Sequence, residues 1–402
     1  MTLNDVEFGA EVRRKYFHFE EGFTFINHGS FGVVPTSIRE KRKQLLDVVN
    51  DNPDVFYRQA WKPFMSTAIQ AAAEFLGADP NNVVLVQNAT TGINTVLKAF
   101  PWKKGDEILA TTHTYCSIQN TCRKAAQIST GGHFHQLEIN FPIKDEEEIV
   151  RNMASAIDEH PSVRIVLLDH ITSPTALLMP LKRMIEECRK RGVLVLIDGA
   201  HAPGQIEINL EELCPDFYVG NFHKWVYTPR GCAFLWVHKD HQNWCTPLVT
   251  SYMYDKGFQL EYGQQGTRDD TPYFLIPDAI QFYKDMGGRE RITKYTKELL
   301  DSACKMIAER LQTRLAEVPK SMEVPGMKIV LLPDCTYNER YSNTWEGSQN
   351  LQFDIMNKHR IQVTVNSIQG RLYMRLAANI YNEMADYEKL ADLLVKLFKE
   401  GE

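Results

Sequence analysis

Short apolar runs alternate with helix-like stretches along the first two thirds of the chain. Residues 193–197, for example, are a continuous run of Val, Leu and Ile, as in a strand buried on both faces. The strands predicted in this way lie at 83–86, 108–111, 133–138, 163–168, 193–197, 216–219 and 231–237. The predicted helices lie at 36–50, 61–76, 92–100, 117–128, 145–159 and 181–191. This alternation predicts an α/β fold with a mostly parallel central sheet and helices on both faces.

The patterns at the two ends of the chain differ from this alternation. A strand-like run at 23–26 is followed by a glycine-punctuated loop at 27–32, whereas residues 272–317 have the spacing of long helices. Beyond them, predicted strands near 328–332, 361–366 and 371–376 and helices near 346–358 and 383–399 indicate a small α+β domain. We therefore predict an N-terminal arm over 1–35, a large α/β domain over 36–285, and a linking helix with the small C-terminal domain over 286–402.

The composition is that of a globular protein and argues against several classes of function. The 402 residues are 44% hydrophobic and 24% charged, with a net charge of -6. This acidic balance, without a dense basic stretch, argues against nucleic acid as a partner. No apolar run approaches the roughly 18 residues of a membrane span, and the first residues lack a signal peptide's apolar core. The eight cysteines form no C-x-x-C pair, so we expect reduced thiols, a cytoplasmic location and no metal site.

Two polar residues at the ends of predicted strands indicate the chemistry. Asp198 ends the run 193–197, and Lys224 follows the apolar segment 217–222. The carboxyl ends of parallel strands form the edge where α/β proteins bind ligands. A lysine amine there can hold an aldehyde cofactor as an imine, and a carboxylate can keep that cofactor's ring nitrogen protonated. The pair therefore predicts a site for pyridoxal 5'-phosphate (PLP). A surface lysine and an Asp paired with an ordinary cation are the alternatives.

Further polar residues follow other predicted strands. Thr90 and Thr91 begin a predicted helix, which suits a phosphate, although simple helix capping explains them too. Tyr115 either lies against a flat heterocycle or is an ordinary tyrosine. His201 and Ser173 are placed to reach the phenolate-type oxygen of the cofactor.

Three positions suggest anion binding. His223 directly precedes the candidate lysine, which a shared anion such as phosphate explains better than packing does. Thr267 lies in the glycine-flanked loop 263–269, either as a phosphate ligand from a neighbouring subunit or as part of a surface turn. Arg375 lies among apolar neighbours on a predicted strand, where a planar anion is its natural partner. That anion is either a substrate carboxylate or an internal acidic side chain.

The order of these motifs resembles the class V branch of fold-type-I PLP-dependent enzymes, the transferase-like fold, over essentially the whole chain. Segment 25–32, with Asn52-Pro53 and Arg58, is similar more narrowly to the isopenicillin N epimerase-like group. That group includes L-cysteine desulfhydrases and hercynylcysteine sulfoxide lyases. The resemblance implies that Lys224 carries the Schiff base, Asp198 faces the pyridine nitrogen and Tyr115 stacks on the ring. The phosphate ligands that it implies are Thr90, Thr91, His223 and, from a neighbouring subunit, Thr267.

The same resemblance implies a substrate and an assembly. Arg375 would bind the carboxylate of a small-molecule amino-acid substrate, with Asn27 in the same pocket, and the protein would be a homodimer with shared active sites. Our leading hypothesis is carbon–sulfur β-elimination on cysteine or a cysteine S-conjugate or sulfoxide, releasing a sulfur product, pyruvate and ammonia. The surroundings of Cys335 do not match the loop around the persulfide-forming cysteine of cysteine desulfurases. Amino-acid epimerase, desulfurase, aminotransferase and a catalytically inactive binding protein are the alternatives.

Overall fold

The computed structural model of the protein describes residues 6–335 and 338–400. The strands are β1 Thr24–Phe25, β2 Val83–Val86, β3 Glu107–Thr111, β4 Phe134–Leu137, β5 Val163–Asp169, β6 Leu194–Asp198, β7 Phe217–Asn221, β8 Ala233–Val237, β9 Met327–Leu331, β10 Ile361–Gln362, β11 Thr364–Ile368 and β12 Arg371–Ala377. The predicted strands between residues 80 and 240 are therefore confirmed to within two residues at each end.

The helices separate the strands as the sequence pattern predicts. They are α1 Ala10–Tyr16, α2 His28–Phe31, α3 Thr36–Asp51, α4 Pro53–Val55, α5 Trp61–Leu76, α6 Ala89–Ala99, α7 Cys116–Ala125, α8 Glu146–Glu159, α9 Leu181–Lys190, α10 Leu210–Leu213, α11 Phe222–Trp225, α12 Phe258–Gly263, α13 Thr271–Phe274, α14 Ile276–Asp285, α15 Gly288–Leu311, α16 Trp345–His359 and α17 Met384–Val395. The segment 27–32 was predicted as a loop but contains the short helix α2. None of the described helices combines the length and apolarity that crossing a membrane requires.

The central sheet carries the candidate chemistry at one edge. Within the described residues it has seven strands in the order β2-β8-β7-β6-β5-β3-β4. Strands β3 to β7 are parallel, and only β8 runs antiparallel to its two neighbours. The carboxyl ends of β3, β5, β6 and β7 therefore meet at the same edge. This confirms the predicted mostly parallel sheet.

Both faces of the sheet are covered by helices. Along β6, the side chains of Val195 and Ile197 join a core that includes Met184 of α9, while Leu196 points the other way and joins a core that includes Ile93 of α6. Side chains in a strand alternate between faces, so a strand buried on both faces needs an uninterrupted apolar run. That requirement explains why the strands were recognisable from their composition.

A second, antiparallel sheet lies in the C-terminal part of the chain. Its order is β11-β12-β9, and its core includes residues of α15, α16 and α17. Strand β1 pairs in parallel with β10, so the N-terminal segment is held by the C-terminal part of the chain. The exact domain limits at residues 35 and 285 stay a prediction, and residues 1–5 of the predicted arm lie outside the described range.

Candidate active site

Lys224 lies on α11, immediately after β7, and is half-buried. Its Nζ is 2.9 Å from Nε2 of His201. Burial, and then the nearby charge of Arg375, lowers the pKa of Lys224 from 10.5 to about 7, while Asp198 opposes this shift. A buried amine is costly to keep charged, so much of this amine is neutral near pH 7. A neutral amine is the form that can attack a carbonyl carbon or accept a proton.

Segment 28–32 closes over the turn that carries Lys224. At Gly32, where φ is 65°, a Cβ atom would lie 1.8 Å from the backbone oxygen of His223. Such a contact is impossible, so only glycine permits this approach. The close packing holds the lysine-bearing turn in place from the N-terminal side.

Asp198 is a buried carboxyl group at the last position of β6, where its Oδ1 accepts a hydrogen bond from the Ala200 N–H at 2.9 Å. In the sheet it lies beside Asp169, whose Oδ2 accepts a hydrogen bond from Thr114 at 2.7 Å. Burial raises the pKa of both carboxyl groups, and the charge of Asp198 raises that of Asp169 further. Lys224 opposes the shift at Asp198. Of the two carboxyl groups, Asp169 is therefore the one whose pKa is raised more, and Asp198 keeps its charge more readily.

His201 is a neutral ring in contact with the lysine. Burial is the main cause that lowers its pKa well below 6.5, and the charges of Lys224, Arg375 and His223 act in the same direction. A neutral imidazole carries one N–H. Nε2 shares a hydrogen bond with the lysine amine, in which either nitrogen can be the donor. The Nδ1 atom is buried and has no hydrogen-bond partner among the described residues, so it is a polar atom available to a ligand.

The beginning of α6 is held against β7, the strand that leads to Lys224. The side-chain oxygen of Asn221, the last residue of β7, accepts the N–H of Ala89 at 2.9 Å. A Cβ atom at Gly92 would lie 2.6 Å from Val219, so the helix and the strand are as close as backbone packing allows. Asn221 therefore positions the helix.

The first turn of α6 is a candidate anion site. Asn88 caps the helix by accepting the N–H of Thr91 at 2.8 Å. Thr90 and Thr91 are half-buried at this helix end, which carries a partial positive charge. The alternative that Thr90 caps this helix is therefore wrong, because Asn88 is the cap, and the binding of a phosphate by the two threonines stays a prediction.

His223 is close to the same region but is already hydrogen-bonded on one side. Its Nδ1 lies 3.0 Å from the carbonyl oxygen of Cys232, which can only accept, so Nδ1 carries a proton. Burial lowers the pKa of His223 to about 4. A phosphate bound nearby would raise this pKa, because an adjacent anion favours the charged ring.

Two of the predicted cofactor-binding residues are exposed in the single chain. Tyr115 is 43% exposed at the start of α7, so its ring is free to cover a ligand. Thr267 is exposed in its loop, in accordance with a role at a neighbouring subunit rather than in its own site. The exposure of these two residues does not test their predicted contacts with the cofactor, so both roles stay predictions.

Arg375 is 3% exposed on β12 and is surrounded by neutral acceptors. Its Nη1 donates to the backbone oxygen of Ser173 at 2.6 Å, and its Nη2 donates to Ser30 at 2.9 Å and to Asn27 at 3.3 Å. No described carboxylate forms a salt bridge with it, and its buried Nε has no hydrogen-bond partner among these residues. Burial lowers the pKa of Arg375 to about 10. An uncompensated buried guanidinium suits an anionic ligand better than the alternative of an internal salt bridge.

The structure brings together residues that were not predicted for the site. Thr364 accepts from Arg375 at 3.4 Å and donates to Asn27 at 2.9 Å. Asp169 was missed although it ends an apolar run in the same way as Asp198, so the same signal could have found it. Ser173 was assigned to the cofactor oxygen, but in this structure its hydroxyl faces Arg375 at 3.2 Å.

The arrangement fits PLP. It could supply a half-buried amine of lowered pKa for the aldehyde, a buried carboxyl group for the ring nitrogen and a helix N-terminus for the phosphate. The free Nδ1 of His201 and the free Nε of Arg375 are two buried polar atoms that a bound ligand would satisfy. The fold and this set of groups are those of an α/β enzyme that uses PLP.

The aminotransferase class-V family profile matches residues 56–332, and the chain belongs to this family. PLP is accordingly its cofactor. The chain is 30% identical to putative L-cysteine desulfhydrase 1 of Oryza sativa subsp. japonica, over 98% of the chain and 86% of that protein. It is 28% identical to hercynylcysteine sulfoxide lyase of Schizosaccharomyces pombe, over 98% of both proteins. A solved complex between the cystine C–S lyase C-DES and its reaction product cysteine persulfide has the same fold, with a TM-score of 0.79, 20% identity and coverage of 93% and 97%.

Proposed function

We propose that the protein is a PLP-dependent lyase that cleaves the Cβ–S bond of cysteine or of an S-substituted cysteine. In the overall reaction the amino acid and one water molecule give a thiol or sulfide, pyruvate and ammonia. The observation that carries the proposal is the likeness, over 98% of the chain, to proteins named as a putative L-cysteine desulfhydrase and a hercynylcysteine sulfoxide lyase. Lys224, Asp198 and Arg375 of this chain provide the groups that such a reaction needs.

Lys224 is the proposed base. When bound, PLP supplies electron withdrawal from the substrate Cα, which makes its proton acidic. Nζ of Lys224 accepts that proton, because its pKa of about 7 leaves a large neutral fraction at neutral pH. His201, at 2.9 Å, limits the positions that the amine can adopt. The charge of Asp198 favours a protonated ring nitrogen on the cofactor.

Arg375 is the proposed anchor of the substrate. Its guanidinium is held by Ser173, Ser30, Asn27 and Thr364, all through neutral oxygens, so its charge remains available to a carboxylate. A fixed α-carboxylate orients the Cα–H bond towards a base, and this orientation lowers the barrier. The side chain of the substrate then determines which sulfur species leaves.

The products of the reaction test this function. Purified holoenzyme is incubated with cysteine, cystine and cysteine S-conjugates, and pyruvate, sulfide or thiol, and ammonia are assayed. Equimolar pyruvate and sulfur product support the lyase. Inversion at Cα without pyruvate would make the protein an epimerase, and alanine formation would indicate a desulfurase. A strict requirement for a keto acid would indicate an aminotransferase.

Cys335 is half-buried against the core of the C-terminal sheet. This position does not favour a role for its thiol in a persulfide relay.

Replacing Arg375 with alanine is expected to raise KM for the amino acid roughly 10- to 100-fold, because a charge-assisted hydrogen bond contributes about 1.5–3 kcal/mol. The change in kcat should be smaller, since Arg375 is not the base. Steady-state kinetics with PLP content checked by absorbance measures both. Arg371→Ala is the matched control, because Arg371 lies on the same strand with a half-exposed side chain paired with Asp334. An unchanged KM in Arg375→Ala would place the carboxylate elsewhere.

The covalent uptake of PLP by the apoenzyme is expected to depend on pH through Lys224. Below pH 7 the rate should rise about tenfold per unit, and above pH 7 it should level off, because the neutral fraction of an amine with a pKa of about 7 follows that course. Stopped-flow absorbance of the bound cofactor measures the rate. A rate that keeps rising past pH 9, as for an ordinary lysine, contradicts the lowered pKa.

We also propose that the active protein is a homodimer whose sites are shared. The support is that Thr267 is exposed in the single chain, where a neighbouring subunit can reach it. In a dimer, Thr267 of the partner subunit would supply a hydroxyl to the phosphate. Light scattering coupled to size-exclusion chromatography measures the mass, and a monomer with full PLP occupancy and activity would argue against this assembly.

A further inference from the structure

Three ligand-type side chains meet on the sheet at the end opposite to the candidate active site. Glu107 is the first residue of β3, His135 lies on the edge strand β4, and His160 follows the last residue of α8. His135 pairs with Leu109 in the sheet, so its side chain projects to the same face as Leu109 and Glu107. Helix α8 covers that face and brings in His160. Strand β3 places the cluster roughly 13 Å from the carboxyl edge, at about 3.3 Å per residue.

The geometry is close to that of a metal site. Glu107 Oε2 lies 2.9 Å from His135 Nε2, and the rings of His135 and His160 stack with centroids 3.7 Å apart and planes at 16°. One ligand atom from each of the three residues lies within 4.8 Å of the other two. In a tetrahedral zinc site with bonds of about 2.0–2.1 Å, neighbouring ligand atoms are separated by roughly 3.3 Å. Small side-chain rotations that open the two stacked rings therefore suffice to bring three ligands to one ion.

The surroundings also favour a cation that keeps a water ligand. The side chains of His135 and Glu107 are 22% and 14% exposed, so the cluster is partly buried but open to solvent. His160 lies at the C-terminus of a 14-residue helix, where the last carbonyl groups carry a partial negative charge. Two imidazoles and one carboxylate are a donor set that selects divalent transition metals over calcium or magnesium.

The geometry points to a binding site for a divalent transition metal such as Zn²⁺, with Glu107, His135 and His160 as ligands and solvent completing the coordination. The ion replaces the proton that His135 and Glu107 share, and that proton passes to solvent. Because the three ligands come from β3, β4 and the end of α8, the ion joins an edge strand to the sheet and to its covering helix. Its effect is therefore on stability, and turnover at the distant lysine site stays unchanged.

Calorimetric titration of the holoenzyme with Zn²⁺, without amino-acid substrate, tests the site. We expect one saturable site per chain and a rise in the melting temperature when Zn²⁺ is present. The variants Glu107→Gln, His135→Gln and His160→Gln should each weaken that binding by at least about tenfold and lose the thermal shift. Glu107→Gln retains an oxygen that can accept from His135, so it keeps the internal hydrogen bond. We expect this variant to fold like the parent protein, and a loss of Zn²⁺ binding in it then reports the lost ligand.

A second histidine–carboxylate pair in the chain provides the matched control. His241 Nε2 lies 2.8 Å from Asp216, with similar side-chain exposure, but no third ligand completes a cluster there among the described residues. His241→Gln should therefore bind Zn²⁺ as the parent protein does. The proposal is overturned if the parent shows no saturable site, or if the three ligand variants titrate like the parent. Weaker binding in His241→Gln alone would overturn it as well.

Discussion

Replacing Lys224 with alanine is expected to eliminate covalent attachment of PLP and to lower turnover by about 10⁴-fold or more. The reason is that one side chain serves as both the nucleophile and the base, and each role accounts for a large factor. Its Nζ is the amine that burial holds at a pKa of about 7 beside His201 and Asp198. Borohydride reduction of the holoenzyme, followed by peptide mass analysis, should place the cofactor on the peptide that contains position 224.

Two controls separate the amine's chemistry from its charge. Lys224→Arg keeps a positive side chain but removes the nucleophile, so it should fail like the alanine variant. Lys239→Ala removes an exposed lysine and should behave like the parent protein. A cofactor adduct on any other peptide, or an adduct that survives in Lys224→Ala, would show that the site has been assigned to the wrong lysine.

Replacing Asp198 with asparagine is expected to lower turnover by several orders of magnitude and to weaken PLP binding. An amide has nearly the same shape but no charge, so it cannot hold the ring nitrogen of the cofactor in its protonated form. The measurements are kcat with saturating PLP, and the dissociation constant of the cofactor from its absorbance. Asp198→Ala should be at least as severe, since it also removes the acceptor for the Ala200 N–H.

Asp169 offers a matched control for that prediction. It is the neighbour of Asp198 in the sheet and is also buried, but burial and the charge of Asp198 raise its pKa further than that of Asp198. Asp169→Asn therefore removes less charge than Asp198→Asn does, and its effect on turnover should stay below about tenfold, or 1.4 kcal/mol. If Asp198→Asn were equally mild, or if Asp169→Asn were the damaging change, Asp198 would not be the partner of the ring nitrogen.

The sequence was sufficient to predict the central sheet and the positions of Asp198 and Lys224 at its carboxyl edge, because both depend on local patterns. A strand buried on both faces must be uniformly apolar, and a polar residue directly after such a strand must lie at the carboxyl edge. Asp198 and Lys224 follow this rule, and so does Asp169, which was overlooked. The helix α2 was missed because its four residues include two that also favour loops, Gly29 and Ser30, and packing determines their conformation.

The pocket around Arg375 could not be predicted in the same way. Its ligands come from segments separated by up to 348 residues, and nothing in the immediate surroundings of Ser30 or Thr364 indicates a buried guanidinium. The contact between Ser173 and Arg375 joins two segments that are far apart in the chain, so it could not be predicted either, and the contact of Ser173 with the cofactor stays a prediction. The cluster of Glu107, His135 and His160 was invisible for the same reason, since β3, β4 and α8 bring its members together only in the folded chain.

Strand β1 pairs with β10, and Asn27 contacts Arg375. A nascent polypeptide leaving the ribosome therefore exposes its first strand long before the partner of that strand has been synthesised. The polar surroundings of Arg375, the proposed carboxylate anchor, cannot form until translation has passed residue 375. A chain terminated prematurely near residue 360 would therefore have Lys224 but lack Arg375 and the strand that pairs with β1.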